Sequence, residues 1–393
     1  MPLTPAHDDQ DTVFATAFSV IENAISACSF PAASIAVTQA GNLVARKAFG
    51  TPVYKEDLEG APSLSRGSRQ GGDFDFHIKP ETLFDVASLT KPIATTTMAM
   101  LLYQRGLLQL DAPVSGIVPE FLTDDVRRAE VTIRMLLAHS SGLPAYEKLF
   151  LRYSTRNDLL RAAFATPFTA DPGSRAAYSD IGFIILGIVL ERIAEESLDV
   201  SCQREIFSAL GMLNTTFNPP ADLRSRIPPT ADEREQAPHD ATKARSTFRN
   251  RIIQGEVQDE NALVLGGVAG HAGLFSTAED VACFAHVLLE GGSPILRPET
   301  IELFTRRGTT PVETSRALGW DTPSTPSQSG QYFGSRSFGH LGYTGTSLWI
   351  DPDRKLSVTL LTNRTWPDCS NHAIKKVRPK VHDAIVRALN NFS

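Results

Sequence analysis

Ser88 and Lys91, in the run Ala87-Ser88-Leu-Thr-Lys91, are the residues of this 393-residue chain best spaced to do chemistry together. On a helix, positions i and i+3 share a face, so the amine can reach the hydroxyl. A serine hydroxyl is a poor nucleophile at neutral pH and needs an adjacent base. A lysine serves only if burial or nearby positive charge lowers its pKa. At a helix N-terminus, Ser88 would also present its backbone N–H to a developing oxyanion. The pair taken alone also fits a surface helix, so its surroundings carry the weight.

Other chemistries find less support. His139 and His271 lie in Gly- and Ser-rich turns and read as hydrogen-bonding braces. No His-Glu-x-x-His, Walker loop, Gly-x-Gly-x-x-Gly or Gly-x-Ser-x-Gly occurs, so neither a metal nor an organic cofactor is expected. Cys28, Cys202, Cys283 and Cys369 are far apart and read as free, mostly buried thiols. A net charge of −6 with scattered basic residues argues against nucleic acid as a partner. The start, Met-Pro-Leu-Thr-Pro-Ala-His, has neither a basic nor an apolar leader region, and no apolar run of about 20 residues follows. A cytoplasmic protein without membrane contact is expected, taking a small-molecule or peptide substrate.

The elements that must position Ser88 and Lys91 follow from periodicity. Phe14, Phe18, Ile21, Ile25 and Cys28 fall on one helical face. Ser34–Gln39 and Leu43–Phe49 flank Ala40-Gly41-Asn42 as a hairpin. Residues 51–80 read as an exposed loop. A helix from Ser88 to Arg105 ends at Gly106, with Pro92 tolerated near its start. Helical segments follow at Ile133–Ala138, Asn157–Ala165, Ile181–Glu195 and Ser201–Leu210. The proline-rich stretch 218–262 reads as an irregular surface segment, and such segments often serve function. Ser276-Thr-Ala-Glu279 spells a capping box for a helix through Leu288. Thr346–Ile350 and Leu356–Thr362 read as strands about a turn at Asp351-Pro-Asp-Arg354. A last helix carries Ile374, Val377, Val381, Ile385 and Leu389, bent at Pro379.

Four stretches in order give Ser88 its context: Phe84-Asp-Val-Ala-Ser88-Leu-Thr-Lys91-Pro, Leu136-Leu-Ala-His-Ser-Ser-Gly-Leu-Pro144, Pro172-Gly-Ser-Arg-Ala-Ala-Tyr178-Ser-Asp180 and His340-Leu-Gly342. Over roughly residues 15–390, with Leu210-Gly-Met-Leu-Asn-Thr-Thr-Phe217 and Leu361-Thr-Asn-Arg364, the chain resembles the class C β-lactamase, penicillin-binding protein and serine esterase superfamily. Gly255-Glu-Val-Gln-Asp-Glu-Asn-Ala262 and Gly266-Gly-Val-Ala-Gly-His-Ala-Gly-Leu-Phe-Ser-Thr277 are similar to its penicillin-binding protein 4B branch. That branch would have a histidine where this chain has Gln258.

The resemblance implies that Ser88 attacks a carbonyl, that Lys91 and Tyr178 share the proton work, and that the backbone N–H groups of Ser88 and Tyr343 form an oxyanion hole. A phenol beside cations has a depressed pKa, which would let Tyr178 accept the serine proton. Asp180 stands where β-lactamases carry Asn, replacing an amide with a group that only accepts. It could pair with Lys91, meet a cationic or hydroxyl-bearing substrate, or cap the helix from Ile181. His340 stands in place of the lysine of Lys-Thr-Gly, and a charge there would titrate near neutral pH. Affinity for a substrate carboxylate would then fall as pH rises.

The fold expected is α/β of the β-lactamase/transpeptidase type: an antiparallel sheet flanked by helices, built from residues 1–87 and 263–393, with a mainly helical region, 88–262, inserted. The site falls between them. Hydrolysis of an ester or amide through acyl-Ser88 is the expected activity. A D-amino-acid peptidase or D,D-carboxypeptidase on cell-wall peptides comes next, then a β-lactamase, then a penicillin-binding protein that does not turn over. The sequence does not address oligomeric state.

Overall fold

The computed structural model describes residues 3–54, 76–235, 246–312 and 314–391. Its main sheet comes from both chain ends: β1 (Thr4–Pro5), β2 (Ala32–Gln39), β3 (Asn42–Gly50), β4 (Phe338–Leu341), β5 (Ser347–Asp351) and β6 (Leu356–Thr362). The order is β1-β3-β2-β6-β5-β4. All neighbours are antiparallel except β1, which lies parallel to β3 at the edge. The β2–β3 hairpin closes through Ala40 and Gly41, both at positive φ, the conformation that matches a two-residue turn to strand twist. Between β5 and β6 the Asp351 carboxylate accepts the N–H groups of Asp353 and Arg354, fixing the turn anticipated there.

Side-chain alternation along the strands sends each sheet face to a different partner. Ile35, Val37, Val358 and Leu360 pack with Phe18 and Ile21 of α1 (Ala15–Ser26) and with Val377, Val381 and Ile385 of the C-terminal helix, Ile374–Asn391. Ala32, Ala36, Leu348 and Ile350 face the other way, onto Val281 and Phe284 of the helix Ala278–Leu289. That second cluster runs on without a break into the segment after Ser88, through Met98, Leu101, Phe183 and Leu186. The helix Asp180–Ala194 is buried along most of its length.

Several local expectations are corrected. Cys28 lies past the end of α1 at positive φ and is exposed, so the buried stripe is Phe14, Phe18 and Ile21. All four thiols are free, but only Cys202 is buried. The cap of Ala278–Leu289 is Thr277, whose hydroxyl accepts from the Asp280 N–H, because Ser276 ends a short strand, Leu274–Ser276. The run from Ala87 to Gln104 is a 3₁₀ turn, then a wide turn at Lys91–Thr96, and α-helical only from Thr97. There Pro92 has no N–H to give, and the Thr97 hydroxyl donates to its carbonyl at 2.9 Å. Most of the expected loop 51–80, residues 55–75, lies outside the described residues. No helix among the described residues is long and apolar enough to cross a membrane.

Candidate active site

The short strand Phe84–Asp85 pairs with Leu274–Ser276 and aims the chain into the seam between sheet and helices. Ala87 follows at φ +48, a left-handed conformation that costs a non-glycine residue about 1–3 kcal/mol. The buried Asp85 carboxylate holds this kink: one oxygen accepts the Ala87 N–H at 2.7 Å, the other the Gln258 N–H at 2.7 Å. Burial pushes Asp85 up to about 6. The 3₁₀ turn then presents Ser88, and three residues on, Lys91.

Lys91 is wholly buried, and each hydrogen of its ammonium has an acceptor. They are Ser88 Oγ at 2.9 Å, Asp180 Oδ1 at 2.6 Å and the His271 carbonyl at 2.9 Å. Burial drives Lys91 below its ordinary range against the opposing pull of Asp180. Asp180 is free to make this contact because the helix cap is Ser179, whose hydroxyl accepts the Gly182 N–H. The capping alternative for Asp180 is thereby corrected: it is the first helical residue, and its side chain reaches Lys91.

Tyr178 donates its hydroxyl to Ser88 Oγ at 2.8 Å. Burial and the nearby Asp180 charge push this phenol well above its ordinary value, outweighing Arg316. The expected depressed phenol is corrected: Tyr178 is a protonated donor in the resting protein. His139 braces it, with its ring 4.7 Å from the phenol ring and its Nδ1 accepting the Ser179 N–H at 3.0 Å. His271 has a similar supporting place, with Nε2 2.9 Å from Asp259 Oδ1.

His340 occupies the cavity wall on β4, but not as a charge. Burial, then Lys91 and Arg316, hold it well below its ordinary pKa. Its Nδ1 lies 2.8 Å from the Leu341 carbonyl, so the neutral ring donates there and Nε2 is a bare acceptor. The expectation of a titrating cation at His340 is therefore overturned by burial. The cation found nearby is Arg316, 5.4 Å from the Tyr178 ring and paired with Asp321. No motif marked Arg316 in the sequence.

Gly342 and Tyr343 open the turn after β4. A Cβ on Gly342 would meet Thr346 Oγ1 at 1.9 Å and the Val86 carbonyl at 2.6 Å, so only glycine fits. Tyr343 follows, 47% exposed at the rim. Two more arginines unmarked as site residues, Arg364 and Arg378, grip this turn from behind.

These groups surround a cavity of about 910 Å³. Ser88, Lys91's partners Asp180 and His271, Tyr178, His340, Gly342 and Tyr343 all line it. Phe248 and Gln258–Glu260, from the proline-rich stretch, form much of another wall. Among the described residues no group of three or more His, Cys, Asp or Glu side chains is placed to hold a metal ion.

The chain matches the model of the Beta-lactamase family over residues 18–377. It is 33% identical over 367 residues to a Bacillus subtilis (strain 168) protein named "N-acetylmuramyl-L-alanine amidase", spanning 88% of this chain and 79% of that one. It is 30% identical over 384 residues to a Salmonella typhimurium protein named "Putative D-alanyl-D-alanine carboxypeptidase", spanning 92% and 84%. Among solved structures, EstCE1, a hydrolase with promiscuous acyltransferase activity, superposes with a TM-score of 0.73 over 96% of this chain and 99% of its own, at 23% identity. That likeness is one of fold. With a family match covering nearly the whole chain, this protein belongs to the Beta-lactamase family and is a serine hydrolase.

Proposed function

We propose that the protein cleaves an ester or amide bond by forming an acyl ester on Ser88. The observation that carries this is that Ser88 Oγ meets Lys91 Nζ at 2.9 Å and the Tyr178 hydroxyl at 2.8 Å, on the wall of a large cavity. Burial favours the neutral amine at Lys91, which then takes the serine proton as Oγ bonds to the carbonyl carbon. The carbonyl electron pair moves onto oxygen, facing the N–H groups of Ser88 and Tyr343. Tyr178 passes a proton to the departing alcohol or amine and is reprotonated from Lys91. Water repeats the sequence on the acyl ester and restores Ser88. No cofactor enters this reaction.

A second reading names the bond. The two relatives' names, amidase and carboxypeptidase, favour an amide of a cell-wall peptide or amino sugar as substrate. The cavity, at about 910 Å³, has room for a peptide fragment. The β-lactamase reading ranks behind both, since a carboxylate at Asp180 cannot donate to a β-lactam side-chain carbonyl.

Intact-protein mass spectrometry of wild type and Ser88→Ala with p-nitrophenyl acetate, a penicillin and an acyl-D-Ala-D-Ala peptide, alongside turnover assays, tests the reading. A Ser88-dependent adduct that turns over supports it and ranks the substrates. A stable adduct without turnover would make the protein a penicillin-binding one instead. Turnover that survives Ser88→Ala would sink the assignment.

A further inference from the structure

Two buried arginines stand behind the turn that follows β4, and among the described residues neither has an acid to balance it. Arg364 donates Nε to the Tyr343 carbonyl at 2.7 Å and Nη1 to the carbonyls of Cys369 and Asn371 at 3.0 Å each. Arg378, on the C-terminal helix, donates Nη2 to the Gly342 carbonyl at 3.0 Å and to the Thr346 carbonyl at 2.9 Å. Its Nε is buried with no partner. Among the described residues no carboxylate lies in ion-pair range of either guanidinium. Burial together with Arg364 pushes Arg378 down to about 9, so it stays charged at neutral pH.

Such an arrangement is costly, since an unpaired buried charge weakens a fold. Mere bracing of the turn does not call for it. The Gly342 carbonyl already accepts from the Gly345 N–H at 3.1 Å, and the Thr346 carbonyl from the Gly342 N–H at 2.8 Å. Neutral donors therefore satisfy both oxygens without Arg378. What the charge adds is polarisation. The Gly342 carbonyl and the Tyr343 N–H belong to one peptide unit, and a cation on the oxygen draws electrons away from the nitrogen end.

We infer that Arg378 is a positioning residue that polarises the Gly342–Tyr343 peptide toward a developing oxyanion and, with Arg364 beside it on the next carbonyl, holds in reserve the positive charge which that oxyanion balances. The inference rests on the proposed acyl-Ser88 reaction, in which Tyr343 N–H faces the carbonyl oxygen. The counter-charge then arrives with the tetrahedral intermediate and is absent in the resting site. Stabilisation that appears only as charge develops raises kcat and leaves substrate binding nearly unchanged.

The test compares wild type, Arg378→Met and Arg378→Gln in p-nitrophenyl acetate turnover and in binding of phenylboronic acid measured by calorimetry. Ser88 Oγ adds to boron as its proton leaves, giving a tetrahedral anion that mimics the intermediate. For Arg378→Met we expect kcat/KM to fall about 10- to 100-fold, mostly in kcat, and boronate affinity to fall by the same factor. The melting temperature should hold or rise, because an unbalanced buried cation has been removed. Boronate affinity within about twofold of wild type would overturn the inference, as would activity lost only in step with a lower melting temperature. If Arg378→Met does not fold, Arg378→Gln, which removes the charge and keeps a neutral donor, carries the same comparison, and the same loss or retention of boronate affinity decides it. Boronate binding is read directly, so failure of every ester to turn over would count against the proposed reaction and not against the arginines.

Discussion

Lys91 Nζ lies 2.6 Å from Asp180 Oδ1, closer than the 2.9 Å that separates it from Ser88 Oγ. In the proposed reaction the carboxylate thus works against proton abstraction: it favours the ammonium, whereas abstraction by Lys91 would need the neutral form. Burial acts in the other direction and is the larger influence. Asp180→Asn removes the opposing pull, so the Lys91 pKa should fall further. The acidic limb of kcat/KM against pH should move to lower pH in this variant. A limb that stays in place, or moves up, would show that Lys91 is not the titrating base.

Tyr178→Phe keeps the ring between His139 and Arg316 and removes only the donor to Ser88. A lost proton relay costs about 10²- to 10⁴-fold in kcat, and KM should change little. Because the phenol is held well above its ordinary value, wild type should show no tyrosine limb as pH rises to about 9. A pH–rate profile for wild type and Tyr178→Phe checks both points.

His340 is neutral across the physiological range, so KM for a carboxylate-bearing substrate should be flat between pH 6 and 8. A KM that climbs through that interval in wild type, and does not in His340→Gln, would restore the charged histidine.

Stability should respond to pH with a definite sign. His139 and His340 are held well below 6.5 by burial, and His382 is pushed down to about 4. Their folded pKa values lie below the unfolded one, so the unfolded chain binds protons first. Their contribution is present above about pH 6.5 and is lost as pH falls through that range toward 4. Asp85, raised to about 6 from 3.8, has the opposite sign and loses its contribution as pH climbs between those values. Glu260 and Asp280, also raised by burial, share the sign of Asp85, so what is tested is the histidine share: each buried neutral ring should add a downward component to the melting temperature on acidification from pH 6.5 to 4. His382→Gln should flatten the slope, and an unchanged slope would argue against a neutral buried ring.

Gly342→Ala forces a methyl against Thr346 Oγ1 and the Val86 carbonyl, the latter immovable backbone. Overpacking of this kind costs about 1–3 kcal/mol. It would also displace the Tyr343 N–H. Denaturant melts and p-nitrophenyl acetate turnover should both decline, activity by the larger factor. Full activity in a stable variant would contradict the tight fit at Gly342.

What the sequence determined by itself is local or motif-borne. The three-residue spacing of Ser88 and Lys91 places both on one turn, and the hairpin at Ala40-Gly41 and the stripe Ile374, Val377, Val381 follow from periods of 2 and 3.6. The resemblance marked the positions of Tyr178, Asp180, His340, Gly342 and Tyr343, and the structure gathers all of them at one cavity. Only the tertiary structure decided their chemical states. A phenol beside cations looks acidic on paper, yet Tyr178 is held protonated by burial and by a carboxylate two residues along the chain. His340 looks titratable, yet packing leaves it neutral. Asp180 had three possible partners until the fold brought Lys91 within 2.6 Å and gave the cap to Ser179. Arg316 has no motif or period to announce it; Arg378 shares the buried face of Ile374 and Val381, and Arg364 closes Leu361-Thr-Asn-Arg364, yet neither position told its role, because a charge takes its meaning from neighbours distant in sequence. Desolvation and long-range contact depend on the whole chain, and local spacing does not encode them.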